Sequence, residues 1–185
     1  ATTKVATYGV TLTPDPSTVT VLSGAATAVH TITIQNTGSH TDTFDLTATE
    51  GVLSVAQISV GAGATDTFTL TYNAPADGIH TSTVTATSTL DPAATKATDS
   101  LTATTAVELY DVSIVCTTSP KTVQFGQNAV HSFTVTNAGN VADTYDLTTT
   151  EGTLSAATIT LAAGATGTVT VTYTAPAEGL GYSAT

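Results

Sequence analysis

Metal binding or proton transfer in this 185-residue chain would fall to fourteen carboxylates and four histidines. Asp42 and Asp45 recur as Asp143 and Asp146, and Asp77 recurs as Glu178. The four aspartates are the calcium candidates, since calcium asks for about six to eight oxygens converging from one loop. Their spacing counts against that use, because residues three apart on an extended strand project to opposite faces. The favoured reading is that Asp42 and Asp143 cap the turns begun by Asn36 and Asn137.

The histidines give no stronger signal. His30 and His131 occupy equivalent strand positions, where a structural role outweighs metal or acid–base work. His40 and His80 lie near turns of the first half only and have no histidine counterparts in the second. No His-x-x-x-His or Cys-x-x-Cys pair supplies metal-ligand spacing. A Gly-x-Ser-x-Gly elbow is absent, as is a glycine-rich loop leading from strand to helix. The expectation is a chain without catalysis, without a resident metal and without a cofactor. Cys116, the single cysteine, has no internal disulfide partner and is expected to be a buried small hydrophobe in register with Val112 and Ile114. Lys4, Lys96 and Lys121 do not recur at equivalent positions, which speaks against Lys–Asn isopeptide cross-links.

Composition bounds the elements that position these residues. The chain is 41% hydrophobic but only 5% aromatic, with no Met and no Trp. Roughly a quarter of it is Thr, and its apolar residues are mainly Val, Ile, Leu and Ala, types that suit pleated, half-buried surfaces. A formal charge of -11 repels nucleic acid and anionic membrane surfaces, so neither is an expected partner. No apolar run approaches the ~18 residues of a helical membrane span.

The dominant feature is a repeat. HTITIQNTGSHTDTFDLTATEG (30–51) returns as HSFTVTNAGNVADTYDLTTTEG (131–152), and VGAGATDTFTLTYNAPADG (60–78) returns as LAAGATGTVTVTYTAPAEG (161–179). The shift is about 101 residues, a domain-sized period. Alternation of period two predicts strands over 8–13, 18–22, 29–36, 42–49, 57–60, 67–73, 79–90 and 96–107. Turn residues separate them, as in Pro14-Asp15-Pro16, Asn36-Thr37-Gly38 and Gly61-Ala62-Gly63. The predicted fold class is all-β: tandem immunoglobulin-like β-sandwiches of about seven to eight antiparallel strands each.

Tyr8-Gly9-Val10-Thr11-Leu12, His30 to Gly38, Asp42 to Leu46, Gly63-Ala64-Thr65 and Ala74-Pro75-Ala76 with Gly78 form a recognisable series. It resembles the immunoglobulin-like repeats of bacterial and archaeal surface and secreted proteins, the CARDB and NEW3-like group. The resemblance covers nearly the whole chain, twice, and rests on turn and core motifs, so it speaks for fold more than for function. It implies an extracellular or cell-surface setting. Two features depart from it: His30 and His131 stand where such repeats often carry Tyr, and the mid-module Trp is missing.

The ends align with the repeat. Residues 1–8, ATTKVATY, nearly repeat ATTAVELY at 103–110, and Gly179-Leu180-Gly181-Tyr182-Ser183-Ala184-Thr185 match Gly78–Val84. The expected organisation is a final half-strand of a preceding module, or a donor strand, at 1–7; one module at 8–108; and a C-terminally incomplete module at 109–185. A sandwich short of strands exposes unpaired backbone and core, so the second module needs completion. The expected assembly residues are Ala1, Thr2, Thr3, Lys4, Val5, Ala6 and Thr7 with Gly179–Thr185. A window on a longer tandem array is the favoured reading, with strand donation between subunits as runner-up. The expected partners are further copies of the module, head to tail. A non-catalytic structural protein results: an extracellular filament, sheath or surface stalk, made stiff by the tight join at 104–114. The rival reading is an adhesin, or an accessory module of a secreted carbohydrate-active protein with glycans as ligands.

Overall fold

The computed structural model describes residues 5–73, 75–93, 96–118 and 120–175. The chain is all-β and divides into two compact units, Ala1–Glu108 and Leu109–Thr185, each built as an immunoglobulin-like sandwich. No helix among the described residues is long and apolar enough to cross a membrane.

The first unit contains β1 (Val10–Thr13), β2 (Ser17–Leu22), β3 (Thr27–Asn36), β4 (Asp42–Ala48), β5 (Val52–Leu53), β6 (Gln57–Val60), β7 (Thr65–Asn73), β8 (Gly78–Ser88) and β9 (Thr98–Glu108). One sheet runs in the order β1-β3-β7-β5, the other β2-β9-β8-β4-β6. Alternation decides the faces. Along β3 the side chains of Ala28, His30, Ile32, Ile34 and Asn36 turn inward while Thr31 stays outside. The two sheets close over Ile32, Ile34, Phe44, Leu70 and Val84, each fully buried. Burying a side chain of this size contributes about 1.5–3 kcal/mol.

Not every pairing is antiparallel: β2 runs parallel to β9, with Ser17 opposite Ala103 and Val21 opposite Val107. The Pro14-Asp15-Pro16 turn between β1 and β2 explains the departure. Proline has no N–H to continue the ladder, so the first strand breaks there and its second half joins the other sheet. The repeated Glu-Gly pair is a turn requirement. Gly51 and Gly152 have φ of 80° and 78°, a left-handed conformation that favours glycine. A Cβ would stand 2.8 Å from Leu70 Cδ1 at Gly51 and 2.8 Å from the Thr172 carbonyl at Gly152.

The second unit contains β10 (Val112–Cys116), β11 (Asn128–Asn137), β12 (Asp143–Asp146), β13 (Thr153–Leu154), β14 (Thr158–Leu161) and β15 (Thr166–Thr174). Its first sheet, β10-β11-β15-β13, repeats β1-β3-β7-β5 strand for strand, with His131 opposite Val171 as His30 is opposite Leu70. Its second sheet, among the described residues, is the pair β12-β14. The buried cluster shrinks accordingly, to Val135, Leu161 and Val169 with half-buried Phe133, Tyr145, Leu147 and Ile159 around them.

Candidate functional site

Histidine sits at the centre of the first unit's polar interior. The His30 ring is fully buried. Its Nδ1 lies 2.9 Å from Ser17 Oγ and its Nε2 lies 2.8 Å from Thr105 Oγ1, so one imidazole joins β2, β3 and β9. Burial holds its pKa below the ordinary histidine value, which keeps the ring neutral, with one N–H to donate and one nitrogen to accept. A hydroxyl at each end and no carboxylate to orient the ring leave no base for a nucleophile. The arrangement ties the two sheets together.

The turn residues work differently from the sequence expectation. Asn36 closes its own turn: Oδ1 accepts from Gly38 N at 2.8 Å, and Nδ2 donates to the His40 and Val60 carbonyls at 2.8 Å each. Asn137 does the same with Gly139, Val141 and Leu161. Asp42 does not reach that turn. It is buried, accepting from Ser88 Oγ at 2.6 Å and from Thr43 N at 2.7 Å, and so pins β4 to the end of β8. The reason is its even spacing from Phe44, which turns it inward toward the neighbouring strand. Asp143 accepts from Thr144 N at 2.7 Å, and no counterpart of Ser88 lies among the described residues. Asp45 is exposed and takes a bond from Gln57 Nε2 at 2.6 Å; Asp146 is exposed too. Asp42 and Asp45 therefore face apart, and no group of three His, Cys, Asp or Glu residues gathers among the described residues. His40 and His80 are bonded at the surface to Ser39 Oγ and the Ala76 carbonyl.

The two units differ most where β8 and β9 lie in the first. There β1 packs against both strands, leaving Val10 at 7% and Leu12 at 3% exposure. Their counterparts on β10, Val112 and Ile114, are 48% and 60% exposed. Cys116, on the same strand, is exposed rather than buried. It shares the face of Val112 and Ile114, as its register requires, but no described strand covers that face. An open groove results, floored by Phe133, Val169 and Val171 and walled by Ile114, Leu147 and Leu154. Beside it, His131 is half-buried, with Nδ1 3.3 Å from Thr118 Oγ1. No described residue bonds its Nε2, the position Thr105 fills for His30. The stretch 120–124, which corresponds to β2, forms no strand.

Two matched anchors flank these regions. Thr7 N donates to Ser39 Oγ at 3.0 Å, and Ser39 N donates to the Thr7 carbonyl at 2.9 Å. Leu109 N donates to Asn140 Oδ1 at 2.8 Å, and Asn140 N donates to the Leu109 carbonyl at 3.0 Å. Of the expected assembly residues, Val5, Ala6 and Thr7 are described. Ala1, Thr2, Thr3 and Lys4, and Gly179 to Thr185, lie outside the described residues.

No family model matches the chain, and no curated protein does. Solved structures do. A protein of unknown function from Porphyromonas gingivalis W83 is similar at TM-score 0.45 and 11% identity, over 88% of this chain and 82% of that one. The YadV chaperone is similar at 0.42 and 13%, over 95% and 88%. The CsuC–CsuE chaperone–tip adhesion subunit pre-assembly complex, from archaic chaperone-usher Csu pili of Acinetobacter baumannii, is similar at 0.42 and 11%, over 96% and 91%. At these identities the likeness is one of fold.

The Asp42–Ser88 bond was not foreseen from the sequence. Ser88 is 46 residues from Asp42, a separation that no local pattern reports.

Proposed function

We propose that this chain is a non-catalytic structural protein, two immunoglobulin-like modules of an extracellular filament, sheath or surface stalk. The observation that carries the reading is one sheet built twice, β1-β3-β7-β5 and β10-β11-β15-β13, from two consecutive copies of a module of about 101 residues. Modules repeated in tandem suit a series. The Thr-covered strands and the net charge of -11 fit an exposed, water-facing fibre. The turn and core motifs shared with the CARDB and NEW3-like repeats of prokaryotic surface proteins agree with that setting. The tight join at 104–114 favours stiffness.

Electron microscopy of native material tests this. Regular filaments with an axial repeat accommodating two modules are expected. Monodisperse monomers that bind glycans would favour an adhesin or an accessory carbohydrate-binding module instead.

A further inference from the structure

We infer that His30 is an acid-operated latch on the edge strand β2. Protonation of its ring goes with release of β2, while the rest of the first unit stays folded.

Topology decides which strand can leave. The ring joins its own β3 to β2 through Ser17 Oγ at 2.9 Å and to β9 through Thr105 Oγ1 at 2.8 Å. Of these three, β3 lies between β1 and β7, and β9 lies between β2 and β8. β2 stands at the end of its sheet with one neighbour, and the pairing is parallel, the slightly weaker arrangement. Its hold on the core is light as well. Val19 and Val21 are half-buried, and Ser17 is the strand's one buried side chain. The residue that fastens β2 to the interior is therefore the one that bonds the histidine.

The surroundings give a charged ring no counter-charge. Facing it are the Ser17 and Thr105 hydroxyls and the Tyr72 ring on β7, with centroids 6.2 Å apart. Burial, with the Glu50 charge adding to it, holds Tyr72 above the ordinary phenol value, so the tyrosine stays neutral. Beyond it stands His80 on β8, its ring 5.8 Å from that of Tyr72 and its backbone opposite Thr105. A second histidine brings no negative charge. Two carboxylates bond backbone around the β1–β2 turn, Asp15 to Thr102 N at 3.1 Å and Asp99 to Leu12 N at 2.8 Å. No described carboxylate bonds the ring itself.

A buried charge without a partner is strongly disfavoured, and burial already holds the His30 pKa below its ordinary value. The proton therefore arrives with water. Lifting β2 is the smallest change that admits water, because the β3–β7 and β8–β9 ladders can stay closed. Openings short of global unfolding are drawn from such lightly held elements.

Amide hydrogen exchange on the full chain, resolved by residue and corrected for intrinsic rates, tests the latch. The β2 amides should exchange faster than those of β3 and β7, through an opening short of unfolding. From pH 7.5 to pH 5 that opening should grow several-fold, toward a ceiling of about 30-fold set by an ordinary histidine. A β2 that exchanges only together with β3 and β7, or whose opening ignores acid, would overturn the proposal in the unaltered chain. His30→Gln should abolish the acid response of β2, and His80→Gln should leave it in place. A response that survives His30→Gln would assign it to other groups, Asp15 and Asp99 among them, and a response lost in His80→Gln would assign it to His80; either overturns the latch.

Discussion

Leu12 and Ile114 occupy the same place in the same strand of two copies of one module, yet Leu12 is 3% exposed and Ile114 is 60% exposed. Their neighbours within the β1-β3-β7-β5 and β10-β11-β15-β13 sheets pair in the same register. Local sequence therefore sets each strand and which of its faces is apolar. Whether that face becomes core depends on strands that arrive from elsewhere, β8 and β9 in the first unit. The asparagine turns show the other extreme. Asn36 and Asn137 make the same three bonds in both units, because two partners lie in the asparagine's own turn and the third at the end of β6 or β14, which both units have.

The sharpest way to break this comparison is to empty the two cores. Phe44→Ala should cost the first unit about 3–5 kcal/mol, the usual loss for a buried aromatic. Tyr145→Ala, at the equivalent position with partial cover, should cost the second unit under about 2 kcal/mol in the single copy. Two-transition denaturant titration measures both, and equal losses would contradict the difference in burial.

Next come the turns, where the units should agree. Asn36→Ala and Asn137→Ala each strand two carbonyl acceptors and a glycine N–H, and each should cost about 2–3 kcal/mol. Unequal losses would show that the turns depend on the covering strands after all.

A smaller effect separates the histidines. Thr105→Val removes the partner of His30 Nε2 and should destabilise the first unit by about 1–2 kcal/mol. Thr118→Val acts on a longer 3.3 Å bond to a half-buried His131 and should cost under about 1 kcal/mol.

The smallest effect is one of pH. His30 has its pKa lowered by burial, so below about pH 6.5 the unfolded chain takes a proton that the folded one resists. The first unit should lose stability as pH falls from there through the folded value, and hold it above. Comparing melting of the native chain and His30→Gln at pH 7.5 and pH 5 isolates this contribution. An identical acid loss in both proteins would contradict it.

Period-two alternation made β3, β4, β6 and β7 legible, because Ile32, Phe44 and Leu70 alternate with threonine or aspartate in runs long enough to see. Val52–Leu53 was not legible as β5, since two residues carry no alternation. The parallel pairing of β2 with β9 was not either; a strand's pattern reports which side is buried and not the direction of its neighbour. Asp42 sits close in sequence to the turn it was expected to cap, while its partner Ser88 is a strand pairing away. Cys116 was placed on the correct face, but its exposure depends on covering strands, which no residue near it encodes.

The central claim is that one repeated sheet is core in the first unit and exposed in the second, according to the strands that cover it. Hydrogen exchange on this chain tests it most directly. The account predicts slow exchange for the amides of Leu12 and Ile34 and faster exchange for those of Ile114 and Val135, which pair in the same register. Equal protection of the two strand pairs would contradict it.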